Sequence, residues 1–306
     1  MPHVEPLPAH EALARWLDIA ARDYLLARYL GPGNPMGTEV LRTGSAVATR
    51  VPFAPLNPLM NTARGIEHPD ELAAVLAFHL PGANAVPAST GPAAARRGCW
   101  VETAPYTPPG VTDALVASGF RLERQAATLY ASLAPASLAR DTRYPALRGD
   151  DARSQGALQV QDVGPADLPS FLDTINRGFG VPDGMLSAMR SNQSFWCDVP
   201  SWHLFLASLD GEVAGAAVLS VHDDPGQPRT GYLAAAATLT NQRGRGVQTA
   251  LIAARIDRAR ALGCTLISGQ AAWGSTSQAN MQRAGMGICH LRTHWVRTDG
   301  ERVGAR

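Results

Sequence analysis

The residues whose types and spacing best suit chemistry lie between Thr238 and Leu251, in the run Thr-Leu-Thr-Asn-Gln-Arg-Gly-Arg-Gly-Val-Gln-Thr-Ala-Leu. A strand is expected to end near Leu239. A helix is expected from Gly246 to Leu262, with Leu251, Ile252, Ile256, Ala259 and Leu262 facing inward and Gly263 stopping it. Between them, Gly244 and Gly246 allow a sharp bend and close approach of a ligand to the backbone. The N–H groups free at the helix start point into one concavity, where the helix dipole favours an anion. Arg243 and Arg245 add positive charge. Such a site fits a pyrophosphate. A basic turn that merely caps a surface helix accounts for these residues equally well when the turn is taken alone.

Three kinds of pyrophosphate site compete. A Walker-type loop needs Gly-Lys-Ser/Thr, and the chain has no lysine. A dinucleotide fingerprint needs a third glycine, where this sequence has Thr249. An acyl-CoA turn is the third. The wider segment favours it: strand, Arg-Gly-Arg-Gly turn, amphipathic helix, Gly263-Cys264, strand, then Gly274 through Asn280 and Gly285-Met286. This order resembles the GNAT family of N-acetyltransferases from about Ala157 to Arg297. The family turn, Arg/Gln-x-x-Gly-x-Gly/Ala, is matched by Arg243 to Gln248, except that Gln248 replaces the last small residue.

The resemblance implies an α+β fold: a mixed sheet in a three-layer α/β arrangement, the acyl-CoA N-acyltransferase fold. It implies acetyl-CoA as donor and an amine of a small molecule or peptide as acceptor. It assigns the pantetheine arm to the backbone of Ala236, Ala237 and Thr238. The pyrophosphate falls to Arg243, Gly244, Arg245, Gly246, Val247, Gln248 and Thr249. The family's cofactor-contacting asparagine matches Gly274, so Ser277 and Asn280 are the nearby replacements. Its tyrosine acid matches Met281, which leaves Tyr232, Ser277 and His290 as catalytic candidates without a fixed acid or base. That gap also motivates an alternative function, a non-catalytic acyl-CoA-binding sensor or regulatory protein. Phe195, Trp196, Asp198 and Trp202 could wall an amine site through cation–π and ion-pair contacts, or could be a packed aromatic cluster under a loop. The small Ala234–Ala237 run suits close ligand approach or a tightly packed sheet interior.

The elements that must position these residues follow from periodicity and turn chemistry. In the second half a strand (Ala157–Val163) and two helices (Ala166–Phe179, Gly184–Phe195) precede a hairpin turning at Asp210-Gly211. Strands at Gly231–Leu239, Cys264–Ala271 and Gly287–Arg297 flank the long helix and a last one at Ser277–Ala284. In the first half, Glu11–Tyr29 has helical spacing, Glu39–Val51 and Pro58–Ile66 read as strands, and Pro69-Asp70-Glu71 opens a helix. Ser118-Gly119-Phe120 and Ala284-Gly285-Met286 end the two halves alike, which fits an internal duplication and fits equally well the common ending of a helix at glycine before a strand. The expected division is a degenerate GNAT-like domain at 1–135, a polar linker at 136–156 and an acetyltransferase domain at 157–306.

Composition narrows the partners. A formal net charge of +1 disfavours nucleic acid and anionic membrane as partners. The four cysteines form no CxxC pair, and no metal site is expected. The thiols and the absence of a signal-like N-terminus point to a cytoplasmic protein. A tandem arrangement leaves a monomer or a homodimer as the expected state.

Overall fold

The computed structural model describes residues 9–52, 54–80, 98–133 and 158–298. From the N-terminus run α1 (Ala9–Tyr29), β1 (Glu39–Thr43), β2 (Ala46–Arg50), β3 (Thr62–Arg64), α2 (Pro69–His79), β4 (Gly98–Thr103), α3 (Pro109–Ala117) and β5 (Arg121–Ser132). After them come β6 (Leu158–Asp162), α4 (Leu168–Gly178), α5 (Asp183–Gln193), β7 (Trp202–Leu209), β8 (Glu212–His222) and β9 (Thr230–Thr238). The chain ends in α6 (Val247–Ala261), β10 (Leu266–Ala272), α7 (Thr276–Arg283) and β11 (Gly287–Thr298). Among the described residues no helix is long and apolar enough to cross a membrane.

The fold is a mixed sheet with helices, of the α+β class, and its element order occurs twice. Hairpin, strand, helix, strand, helix, strand describes β1 through β5 and again β7 through β11. The compact units nevertheless do not follow the linear halves. One unit comprises Met1–Gly33 with Ala127–His290, and the other Asn34–Ala126 with Leu291–Arg306. So α1 joins the unit built mostly from the second half, and the end of β11 joins the other. The linker at 136–156 lies outside the described residues.

In the first of these units the strands run β5-β10-β9-β8-β7-β6, with β9 and β10 parallel and β6 through β9 antiparallel. The β7–β8 hairpin turns at Asp210 and Gly211, both at positive φ (55° and 83°), the requirement of a type I′ turn. Helices cover both faces. Gly215 of β8 lies under Val247 and Leu251 of α6, where an added Cβ would sit 2.8 and 3.2 Å from them. Its neighbour Ala216 faces the other way. It packs with Phe171, Leu172 and Ile175 of α4, Tyr24 of α1 and the aromatic pair Trp196 and Trp202. Each large apolar side chain buried there contributes about 1.5–3 kcal/mol.

The second unit has the order β1-β2-β3-β4-β11, with its core between this sheet and α2 and α3. The single strand expected over Glu39–Val51 is instead a hairpin, because the chain reverses at Gly44 (φ 54°). A side chain at Gly44 would collide with the Glu71 carboxylate. That carboxylate accepts from the backbone N–H of Ser45 (2.8 Å), Glu67 (2.7 Å) and His68 (3.2 Å), so it ties the hairpin to the start of α2.

Candidate active site

The site is built on an interruption in the sheet. β9 and β10 pair from Thr230/Leu266 to Leu233/Gly269 and no further, although β9 continues to Thr238 and β10 to Ala272. Just there β9 carries a bulge. Ala217 of β8 opposes Ala236, but Leu219 opposes Leu233, so Ala234 and Ala235 together face Val218. A bulge bends its strand and raises the local twist. Beyond it, Ala236, Ala237 and Thr238 pair with β8 on one side and lack a strand partner on the other. Ala234, Ala236 and Thr238 are partly exposed, whereas Ala235 and Ala237 point into the core. The small size of Ala237 is explained by α4, since a Cβ on Gly178 would lie 2.4 Å from the Ala237 Cβ. Of Ala237, the side chain is in the core and the backbone is on the edge that lacks a strand partner.

The glycine turn follows directly. Gly244 and Gly246 have φ of 76° and 81°, and Gly246 is the N-cap of α6. Gly246 has no side chain to cap this helix, so the N-cap supplies no side-chain acceptor to the N–H groups of the first turn. Val247 is buried and anchors the turn, while Arg243, Gly244, Arg245, Gly246 and Thr249 are exposed. The two arginines differ. Arg245 pairs with Asp210 (2.8 Å) and Gln242 (2.8 Å). Arg243 has no ion-pair partner among the described residues and is the cation available to an anion here.

Gln248, the residue that departs from the family turn, joins α6 to α7. Its side chain donates to Ser277 Oγ (2.8 Å) and accepts from Asn280 Nδ2 (2.5 Å). Asn280 Oδ1 in turn accepts from Arg283. The structure therefore brings Gln248, Ser277 and Asn280 together in one polar clasp. Met281, one residue on, is 4% exposed and lies over Gly269, the last paired residue of β10. Its Cε would be 3.2 Å from a Cβ at Gly269, so a thioether closes the apex of the splay.

The catalytic and acceptor candidates are dispersed. Tyr232 is buried in the core beside Tyr24, with ring centroids 5.8 Å apart. His290 is buried and its Nε2 lies 3.1 Å from Asp18 Oδ2 of α1. Trp196 is fully buried and Trp202 nearly so, packed edge to face at 5.4 Å. They are core residues here and not walls of an open site; Phe195 is partly buried and Asp198 exposed. A cavity of about 160 Å³ in the second unit is lined by Glu39, Arg50, Asn61 and His79, and no residue expected to bind donor or acceptor borders it.

Sequence reasoning missed the contribution of α1 and of Arg255. Trp16 Nε1 donates to Thr230 Oγ1 (2.9 Å), and Asp18 meets His290. Tyr24 packs on Trp202 at 5.0 Å, and burial pushes its hydroxyl up to about 12. Arg255 of α6 is fully buried and reaches Val218 O, with burial lowering its guanidinium to about 9. The helical period of Glu11–Tyr29 marks a buried face, but periodicity does not say which sheet it covers.

Comparison with known proteins agrees with this architecture. Residues 169–286 match the acetyltransferase (GNAT) family model. Along most of its length the chain is similar in structure to a GCN5-related N-acetyltransferase from Kribbella flavida. That pair has 15% identity and a TM-score of 0.57, covering 92% of this chain and 94% of that one. It is also similar to a tandem GNAT protein from the clavulanic acid biosynthesis pathway, at 16% identity and a TM-score of 0.53, covering 96% and 97%. A functionally unknown conserved protein from Staphylococcus epidermidis ATCC 12228 is similar at 11% identity and a TM-score of 0.55, covering 86% and 94%. No curated protein matches the sequence. The matched segment runs from α4 to the end of the loop after α7 and contains the β9 bulge, the glycine turn and the splay, so the similarity to the acetyltransferase (GNAT) family falls on the part of the chain that builds this site.

Proposed function

We propose that this chain transfers an acetyl group from acetyl-CoA to an amine of a small molecule or peptide, with one donor site per chain. The observation that carries this reading is the end of β9–β10 pairing at Leu233/Gly269, immediately before an uncapped, glycine-bounded helix start. A linear ligand with a hydrogen-bonding arm and a pyrophosphate suits an open strand edge followed by an anion cradle. When bound, acetyl-CoA supplies an activated acetyl group as a thioester. The open backbone edge of Ala236 to Thr238 would hold the arm. The N–H groups of Val247, Gln248 and Thr249, with Arg243, would hold the phosphates, and Ser277 and Asn280 would border the arm from α7.

The corresponding place in the other unit, between β3 and α2, supports a single site. There the Glu71 carboxylate already accepts the backbone N–H groups of Glu67 and His68. A phosphate would have to displace a carboxylate that also bonds Ser45.

The amine approaches from the side of α4 and α5 in this reading, past Asp198 and Phe195. The assay is release of free thiol from acetyl-CoA over a panel of polyamines, amino sugars and peptides. Acetylation of at least one amine class is expected. Met281 favours a second reading, an acyl-CoA sensor, because a thioether cannot donate a proton. Tight binding without turnover over the whole panel would establish the sensor and reject transfer.

A further inference from the structure

Hydrogen-bonding groups around the β9 bulge are left unused by the protein itself. Tyr24 is 3% exposed, and its buried hydroxyl has no acceptor for its proton among the described residues. Its oxygen lies against the backbone N–H of Ala235, one of the two residues that the bulge sets against Val218. Its ring is fixed by Trp202 at 5.0 Å and Tyr232 at 5.8 Å, so the position of the hydroxyl is determined by packing. From the opposite face of the sheet comes Arg255. Its Nε and Nη1 donate to Leu251 O (2.9 Å) and Val218 O (3.3 Å), while Nη2 is buried without a partner. Among the described residues no carboxylate pairs with Arg255. A buried charge without a counter-ion and a buried hydroxyl without an acceptor both destabilise a fold. Two such groups converging on one irregularity call for a functional explanation.

We propose that Tyr24 donates a hydrogen bond to the acyl-thioester group at the β9 bulge, and that the buried charge of Arg255 behind it favours the negative charge that develops there. The proposal rests on the acetyl-CoA reading above. It makes α1 part of the reaction site: the helix brings a hydroxyl to the bulge, whereas Met281 of α7 offers only a thioether at the apex of the splay. Burial raises the Tyr24 hydroxyl to about 12, so it keeps its proton at neutral pH. A phenol that weak protonates a thiolate of pKa about 8.5 poorly, so Tyr24 acts as a donor of a hydrogen bond and not of a proton. In the transfer the C–N bond forms and the C–S bond breaks. The amine loses one proton to water, the thiolate gains one from water, and Tyr24 is unchanged.

Tyr24→Phe keeps every ring contact and deletes only the hydroxyl. Its melting temperature is expected to stay close to that of the unaltered protein. The test compares affinities for acetyl-CoA and for desulfo-CoA, which lacks the sulfur and the acyl group, by calorimetry on both proteins. The unaltered protein is expected to prefer acetyl-CoA. The variant should bind desulfo-CoA equally well and acetyl-CoA about three- to tenfold more weakly, the effect of one hydrogen bond. An unchanged ratio overturns the role of Tyr24 and leaves donor binding intact. Equal weakening toward both ligands also overturns it, since that marks a structural role. If the unaltered protein binds neither ligand, the acetyl-CoA reading itself fails, and the assignment of Tyr24 fails with it.

Discussion

Thr249→Glu separates an anion cradle from a simple helix cap, because the two roles respond with opposite signs. Thr249 is exposed in the first turn of α6, two residues after Val247. A carboxylate there interacts favourably with the helix dipole by about 0.3–1 kcal/mol, and glutamate has a slightly better helix propensity than threonine. The helix should therefore be as stable or more stable. A phosphate held by the same N–H groups would lie about 5 Å from the new charge. At an effective dielectric between about 20 and 80, that repulsion is about 0.8–3 kcal/mol per charge pair. Acetyl-CoA should bind about tenfold to a hundredfold more weakly, with no loss in melting temperature. Raising the salt to about 1 M, where the screening length is about 3 Å, should shrink the difference. Calorimetry and thermal melts on the same samples read both effects. Acetyl-CoA affinity within twofold of the unaltered protein would refute the cradle. Substituting Gly246 is a poorer test, since its φ of 81° strains any side chain.

Other perturbations probe the surrounding structure. Met281→Ala should cost about 2–5 kcal/mol in chemical denaturation, because the side chain is buried over Gly269. A loss below about 1 kcal/mol would contradict its place in the core. In the second unit, His79 is 1% exposed with both ring nitrogens unpartnered, and burial, aided by Arg50, holds it down at about 3. Its folded value lies below the unfolded value of about 6.5, so the unfolded chain takes up the proton first. The contribution of neutral His79 is then complete above about pH 6.5 and declines as pH falls toward 3, by up to about 1.4 kcal/mol per unit. Urea titrations at pH 7.5, 5.5 and 4.5 should show that decline in the unaltered protein and a flatter one in His79→Gln. Parallel declines would rule out His79 as the cause.

The parts of the site that were legible in the sequence are those governed by local backbone chemistry. Gly244 and Gly246 are where positive φ was required, and Asp210-Gly211 forms the hairpin its dipeptide implies. The helix edges of α4, α5, α6 and α7 lie within two residues of those read from periodicity. What escaped the sequence depends on long-range pairing. Four successive alanines have no alternation of type, so nothing in Ala234–Ala237 marks where the bulge falls. An aromatic cluster has the same composition in a pocket as in a core, and only burial shows that Trp196 and Trp202 are core. Helix α1 was grouped with its sequence neighbours, whereas its buried face covers β9 and β10, more than 200 positions away, as the Trp16–Thr230 bond records with a separation of 214. In the sequence Glu71 is a helix-opening acid. Its further role, closing the turn at Gly44, depends on a fold that brings residues 26 positions apart together.

The central claim is that the splay of β9 and β10 with the turn at Gly244–Gly246 is a donor site, and that it is the single one in the chain. Titrating acetyl-CoA into the full-length protein by calorimetry tests it most directly. The expected result is saturable binding at one molecule per chain, abolished or strongly weakened in Thr249→Glu. Two molecules per chain would contradict the closed turn at Glu71, and no binding would contradict the donor site itself.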